Sequence, residues 1–292
     1  MKKIFNQSVA LLFVITSLTS CLKDDTMVLD PEKSSGNVVE FGNTGTPSSP
    51  SGAPVFAYTP TTLDPDVPTT KFTTSVRYAG AEDVAPQDIT VQLAAAPEAV
   101  TKWNAAYPTA QFPYFQMASN QYSFPSSVTI KKGEKAAYFD VNVNTSLLNK
   151  AQSNVLGIKI TSTTAAVISG NFGTVIYNLP IRSIWEGSYV YSVNNNYGQI
   201  DANIGSYTEA GIKLSTVGPN RVRVQYIAQT YSGFVEYQFN GDNTAITEVK
   251  PYNGATNYAW SIQTFTLNVA TKSFNIDWTF ANRGLREKWV RQ

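Results

Sequence analysis

The side chains that most often do chemistry near neutral pH are almost missing from this chain. Its 292 residues include no histidine and a single cysteine, Cys21. Histidine is the usual general base and transition-metal ligand, because its ordinary pKa lies within about 5 to 8. Its absence removes Ser-His and Cys-His pairs and the common zinc ligand sets. Carboxylates remain, and a glycosidase needs two of them a few ångströms apart. The nearest local pair is Asp64-Pro65-Asp66, which reads as a turn, since Asp side chains accept hydrogen bonds from backbone two residues on. Asp242 sits in Asn240-Gly241-Asp242-Asn243, a hairpin tip where calcium would need six or more oxygen ligands. No loop has the glycine spacing of a phosphate cradle. No catalytic residue, metal or cofactor is assigned.

Aromatic rings are the other resource, at 12% of the chain. Sugar rings present flat C–H faces that stack on Trp and Tyr, while amides bind the hydroxyls. Tyr252, Tyr258 and Trp260 surround Asn253-Gly254 and Asn257 in an expected long connection, and Tyr197 follows Asn194-Asn195-Asn196 in another. Tyr197, Tyr252, Asn257, Tyr258 and Trp260 are the candidate ligand-binding residues. The alternative is that these rings pack or brace their loops. Trp103 and Tyr107 are expected to fix a short helix, and Trp278 to lie in a core.

The charge balance points away from nucleic acid. There are 22 basic and 21 acidic residues; without Lys2 and Lys3 the count is 20 against 21, so a net +1 becomes −1. Phosphate binding needs clustered Lys and Arg. Charged residues make up only 15%, which leaves a surface that is polar mainly through Ser, Thr and Asn.

The N-terminus carries an address. Lys2 and Lys3 precede the apolar run Val9 to Ile15 and the small-residue approach Leu18-Thr19-Ser20 to Cys21. That run is too short to cross a bilayer, which takes about 20 apolar residues, so residues 1–20 read as a signal peptide. Cys21 has no internal disulfide partner, and an unpaired thiol in a secreted chain calls for an explanation. Leu18-Thr19-Ser20-Cys21 resembles the bacterial lipobox, which implies cleavage before Cys21 and acylation of its thiol and amine. Each buried CH₂ of such chains contributes about 0.8 kcal/mol. Lys23-Asp24-Asp25 resembles the export signal of Bacteroidota surface lipoproteins; the other reading is a solvated charge cluster opening a tether. The resemblance implies a lipid-anchored protein on the outer membrane, facing the cell exterior. Asp25-Thr26-Met27 also matches the short O-glycosylation motif of those bacteria.

The elements that must position any site are strands. Residues 21–35 read as a tether. Phe72, Thr74, Val76 and Tyr78 share one face of a strand, as do Ile89, Val91 and Leu93, and later Ala137, Phe139, Val141 and Val143. Pro97 and Glu98 suit the first turn of the one helix, which Pro108 stops. Short strands and turns of this kind predict an antiparallel sandwich over residues 36–182. Residues 183–292 begin at Trp185-Glu186-Gly187 and read as a meander of hairpins. There Val222, Val224, Tyr226 and Ala228 oppose Arg221, Arg223 and Gln225, and Phe274, Ile276, Trp278 and Phe280 alternate with polar residues. Asn240-Gly241 is the strongest hairpin signal. The expected fold class is all-β: an immunoglobulin-like sandwich, then a C-terminal antiparallel meander forming a barrel or half-barrel.

Several segments of the first half resemble the immunoglobulin-like domain of domain-of-unknown-function family 1735. They are Ile89-Thr90-Val91-Gln92-Leu93, Trp103-Asn104, Tyr122-Ser123-Phe124-Pro125 and Val128-Thr129-Ile130-Lys131-Lys132-Gly133. Trp103 stands where tyrosine is more usual. Trp185-Glu186-Gly187-Ser188-Tyr189 and Arg286-Glu287-Lys288-Trp289 resemble the module often paired with that domain in Bacteroidota surface lipoproteins of starch-utilisation-type loci. The resemblance implies a non-catalytic protein that binds glycan beside an outer-membrane importer. An adhesin or structural subunit with no glycan site is the alternative. The acidic Asp-x-x-Asp-x-Asp-x-Glu strand of the chitinase-like barrel found after this domain in some relatives is absent.

Overall fold

Period-two alternation in the first half becomes two stacked sheets in the computed structural model, which describes residues 37–42, 56–80, 84–194, 204–254, 256–281 and 283–292. Cys21, Lys23, Asp24, Asp25 and Tyr197 lie outside the described residues. The first sheet has the order β10 (Val167–Ile168), β1 (Val38–Gly42), β3 (Thr69–Ala79), β8 (Ala136–Asn144), β6 (Tyr122–Ser123). The second runs β2 (Phe56–Tyr58), β11 (Thr174–Asn178), β9 (Ser153–Thr163), β4 (Ile89–Ala95), β7 (Ser127–Ile130), with β5 (Tyr114–Gln116) also pairing β9. Phe72, Val76, Val141 and Val143 meet Ile89, Val91, Ile158 and Tyr177 between the sheets. Thr74 shares that inward face, and its hydroxyl is 2.6 Å from the Tyr177 hydroxyl, so this buried polar position of β3 is satisfied across the core.

Three short pairings, β1–β10, β2–β11 and β5–β9, are parallel, where the alternation predicted antiparallel neighbours. Parallel pairs cannot be joined by a tight hairpin, and each of these brings together segments distant in sequence. Strand β9 is buried continuously from Asn154 to Ile158 because helix α1 (Pro97–Ala106) covers its outer face. Ala99, Val100 and Trp103 of α1 pack there with Val155 and Ile176. Tyr107 is left more exposed, its ring 5.0 Å from that of Trp103.

The second domain is a single antiparallel sheet. It contains β12 (Gly187–Asn194), β13 (Tyr207–Gly218), β14 (Arg221–Ile227), β15 (Tyr231–Phe239), β16 (Ile246–Asn253), β17 (Thr256–Asn257), β18 (Trp260–Asn268), β19 (Ser273–Phe280) and β20 (Arg283–Arg291). Strand β20 inserts between β12 and β19, giving the order β17-β16-β15-β14-β13-β12-β20-β19-β18. The sheet curls until Cα atoms of β16 and β18 come within 8 Å. It is thus a nearly closed eight-strand barrel that leaves little open edge. Trp185, Tyr189, Tyr191, Tyr237, Trp278 and Trp289 fill it.

Two local expectations are corrected. The alternation through Tyr226 breaks: a bulge with φ 72° at Tyr226 turns that ring outward and sends Ile227 into the core, since one extra residue reverses the facing of the residues after it. Asn240-Gly241 does not form a two-residue turn. The connection spans Asn240 to Ala245, because the Asn240 side chain accepts the Thr244 and Ala245 N–H groups. Asn243 meanwhile points inward to accept the Trp185 Nε1–H at 2.8 Å. No helix among the described residues is long and apolar enough to cross a membrane.

Candidate functional site

Tyr252, Asn257, Tyr258 and Trp260 are not in one long connection. Tyr252 belongs to β16 and pairs with Asn257 of β17 across a tight turn at Gly254, φ 62°, and Trp260 opens β18 in register with Phe280. The rings are therefore dispersed. Tyr252 points outward, like Glu248 and Lys250, and its ring lies 4.6 Å from that of Phe234. Lys250 Nζ sits 5.2 Å from the Tyr252 ring centre, and the Arg223 guanidinium 3.9 Å from that of Phe234. Both outward rings thus already have cation partners. Tyr258 turns the other way, packing edge-on against Phe280. Trp260 is half-buried on the strand facing the barrel's seam.

A cleft opens between the domains. Leu63, fully buried, pairs with Ile181. Its N–H donates to Pro180 at 2.8 Å and its carbonyl accepts the Arg182 N–H at 2.9 Å. This stitches residues 63–66 beside the interdomain connector. Asp64 Oδ1 accepts the Asp66 N–H at 2.9 Å, the expected turn, and its other oxygen pairs with Arg182. Asp66 reaches Lys272 Nζ of the second domain at 2.6 Å. That hydrogen bond holds the Asp66 carboxyl below its ordinary range. The carboxylate pair of the sequence is thus a turn that also ties the domains together.

On the other side Phe112 reaches across. A Cβ at Gly218 would lie 2.6 Å from the Phe112 ring, so that close approach needs glycine. The Arg221 guanidinium stands 5.6 Å from the same ring. Arg221 itself is buried among Glu236, Glu248 and Gln238 on the barrel's outer face.

Between these contacts is a cleft of about 650 Å³ whose lining includes Phe112, Tyr114, Asn178, Arg182, Glu186 and Thr216. Ligand sites prefer domain interfaces and span about 300–1,000 Å³. Tyr114 is held at its backbone by the Asn104 amide, at 2.8 and 2.9 Å. Its ring stacks on Trp103, 5.4 Å centre to centre with 7° between planes. Burial pushes its phenol pKa upward. Glu186 is fixed by accepting the Thr216 N–H at 2.9 Å, while Thr216 Oγ1 accepts the Ser183 N–H at 3.0 Å. The cleft offers a braced aromatic ring, amides and one charge of each sign. That suits stacking and hydrogen bonding to a hydroxyl-rich ligand. Among the described residues no three of His, Cys, Asp and Glu gather into a metal-holding group.

Phe112 and Tyr114 lie in a proline- and aromatic-rich segment between Pro108 and Pro125, a composition that by itself marks no site. Arg182 and Glu186 carried one signal, their position at the domain junction. Glu287 was also missed. It alternates with Leu285 and Trp289 and so faces inward, 1% exposed, accepting the Tyr191 and Tyr237 hydroxyls at 2.7 Å and Trp278 Nε1–H at 2.8 Å. Trp289 Nε1 lies near the same carboxylate without making a hydrogen bond.

Residues 50–167 match a family model described as a "-like, N-terminal domain". No curated protein matches. Among solved structures, the chain is similar to a structural genomics protein of unknown function from Bacteroides ovatus, with 14% identity, 87% of this chain and 93% of that one covered, and a TM-score of 0.47. It is similar to an auxiliary nutrient binding protein from Bacteroides thetaiotaomicron, with 15% identity, coverage of 76% and 82%, and a TM-score of 0.39. A multidomain protein including DUF1735 from Bacteroides ovatus shares 13% identity, with 86% and 92% covered and a TM-score of 0.45. These solved structures to which the all-β chain is similar are Bacteroides proteins.

Proposed function

We propose that this chain is a non-catalytic, lipid-anchored surface protein that holds glycan in the cleft between its domains, beside an outer-membrane uptake system. The observation that carries the reading is the cleft: about 650 Å³, contributed by both domains, with Tyr114 braced on Trp103. Among the described residues Glu186 is the only carboxylate in its lining, whereas carboxylate-pair hydrolysis needs two about 5–9.5 Å apart. The address motif around Cys21 supports anchoring outside the cell, where weak capture by many copies adds up through avidity. The name of the similar nutrient binding protein describes that protein.

Affinity electrophoresis of the purified chain across neutral and acidic polysaccharides tests the reading. Tyr114→Ala is expected to weaken retention about tenfold or more, as loss of about 1.4 kcal/mol or more would, while Tyr252→Ala leaves it unchanged. Silence on every polysaccharide, or equal retention by the Tyr114→Ala chain with an unchanged circular dichroism spectrum, overturns it. Mass spectrometry of the cell-derived protein is expected to find acyl chains on Cys21; an unmodified thiol overturns the anchor.

A further inference from the structure

Arg182 and Glu186 line a second, smaller cavity of about 180 Å³, together with Asp66, Gly187, Lys272 and Arg291. Three cations from separate segments, the connector, the β18–β19 turn and the end of β20, thus face one space beside two carboxylates. Lys150 is close enough to act on Asp66 as well. Two of the cations are matched: Lys272 by Asp66 and Arg182 by Asp64. Arg291 is not. Its guanidinium donates to the Glu186 carbonyl, lies against Gly187 where a Cβ would collide, and rests 5.4 Å from the centre of the Tyr189 ring. These partners are neutral, and among the described residues no carboxylate forms an ion pair with Arg291. The Glu186 carboxylate is engaged by the Thr216 N–H instead. Gly187, at φ 149°, has a backbone conformation that favours glycine, so the seat for the guanidinium is built into the chain.

A guanidinium held on several sides with its charge unmatched is preorganised for carboxylate or sulfate, whose oxygens accept its forked N–H donors. Lys272 adds donors, since an ammonium has three and Asp66 uses one. We infer that this cavity takes the anionic substituent of an acidic glycan whose neighbouring sugars lie in the main cleft. The inference rests on the proposed function and narrows it from glycan to charged glycan. Carboxylate and sulfate share the chemistry, and separate probes tell them apart.

The test is retention of the purified chain by polygalacturonate, dextran sulfate and neutral dextran, at low and high salt. At least one polyanion is expected to be held about tenfold more tightly than dextran. Lys272→Gln and Arg291→Gln should each remove most of that difference, in line with about 1.5–3 kcal/mol for a hydrogen bond to a charged group. Arg291→Gln also removes a packing contact and Lys272→Gln an interdomain ion pair, so an unchanged small-angle scattering profile of each variant keeps the test decisive. Dextran held as tightly as both polyanions overturns the charged-ligand inference and leaves the glycan reading standing. Polyanion retention unchanged in both variants also overturns it. Failure to retain any polysaccharide removes the reading beneath it.

Discussion

Glu287 is a carboxyl group enclosed in the barrel core, 1% exposed. Burial in the barrel raises its pKa above the ordinary 4.5, against the hydrogen bonds from Tyr237, Tyr191 and Trp278, which lower it. Its charge in turn helps burial push the Tyr191 and Tyr237 phenols far above their ordinary range. A raised carboxyl pKa means the folded state binds the proton more tightly than the unfolded chain. The contribution is fully present below pH about 4.5 and is lost as pH rises through the folded value. Each tenfold difference in proton affinity is worth about 1.4 kcal/mol. Glu287→Gln removes this titration, so the variant's melting temperature relative to the parent's is expected to climb as pH rises from about 4.5. Asp66, Asp88, Glu98, Asp140 and Asp242, with lowered values, act oppositely at acid pH but cancel in that difference. Parallel melting curves for the two proteins across the range would sink the account.

At the scale of elements, the contact of α1 with β9 sets the geometry around the cleft. Ala96 donates its N–H to the Gly157 carbonyl at 2.8 Å, and a Cβ on Gly157 would run into the Ala96 carbonyl. Helix and strand therefore approach more closely than any other residue at 157 permits. Tyr114 inherits its position from this contact, because Trp103 of α1 carries its ring. Gly157→Ala is expected to destabilise the first domain by about 1–3 kcal/mol, the usual range for overpacking a core, measured as a lower urea midpoint. It should also weaken glycan retention through Tyr114. A midpoint equal to the parent's would show that α1 shifts without penalty. The helix, its cap-side Pro97 and its buried Trp103 were legible from spacing. The closeness of its seat on β9 was not, because periodicity reports which face is apolar and not how near two backbones come.

Among the described residues the two domains meet through side-chain contacts of several kinds. One of them is the partly exposed ion pair Asp66–Lys272, and exposed pairs of this kind are typically worth about 0–1 kcal/mol; Asp64–Arg182 holds the connector. Phe112 on Gly218, with Arg221 behind it, is the packed contact. Relative motion of domains is the default unless their interface is large and hydrophobic, which makes Phe112 on Gly218 the contact to test as a latch of the cleft. Gly218→Val would bring a side chain into the Phe112 ring and is expected to undock the domains. Small-angle scattering should then report a larger radius of gyration, and calorimetry two separate transitions. An unchanged scattering profile would mean that the remaining contacts, the Asp66–Lys272 ion pair among them, suffice.

From its sequence alone this chain determined an all-β architecture and the helix over Trp103, since period and caps are local properties. Its want of histidine was equally plain. Only the tertiary structure decided that β16 and β18 approach to near closure, that Tyr252 and Tyr258 face opposite ways, and that Glu287 is enclosed. It alone brought Phe112 and Tyr114 to face Arg182 and Glu186, about 70 positions onward in the chain. The physical reason is that stacking and ion pairing act through space over a few ångströms, whereas a sequence orders residues only by their separation along the backbone.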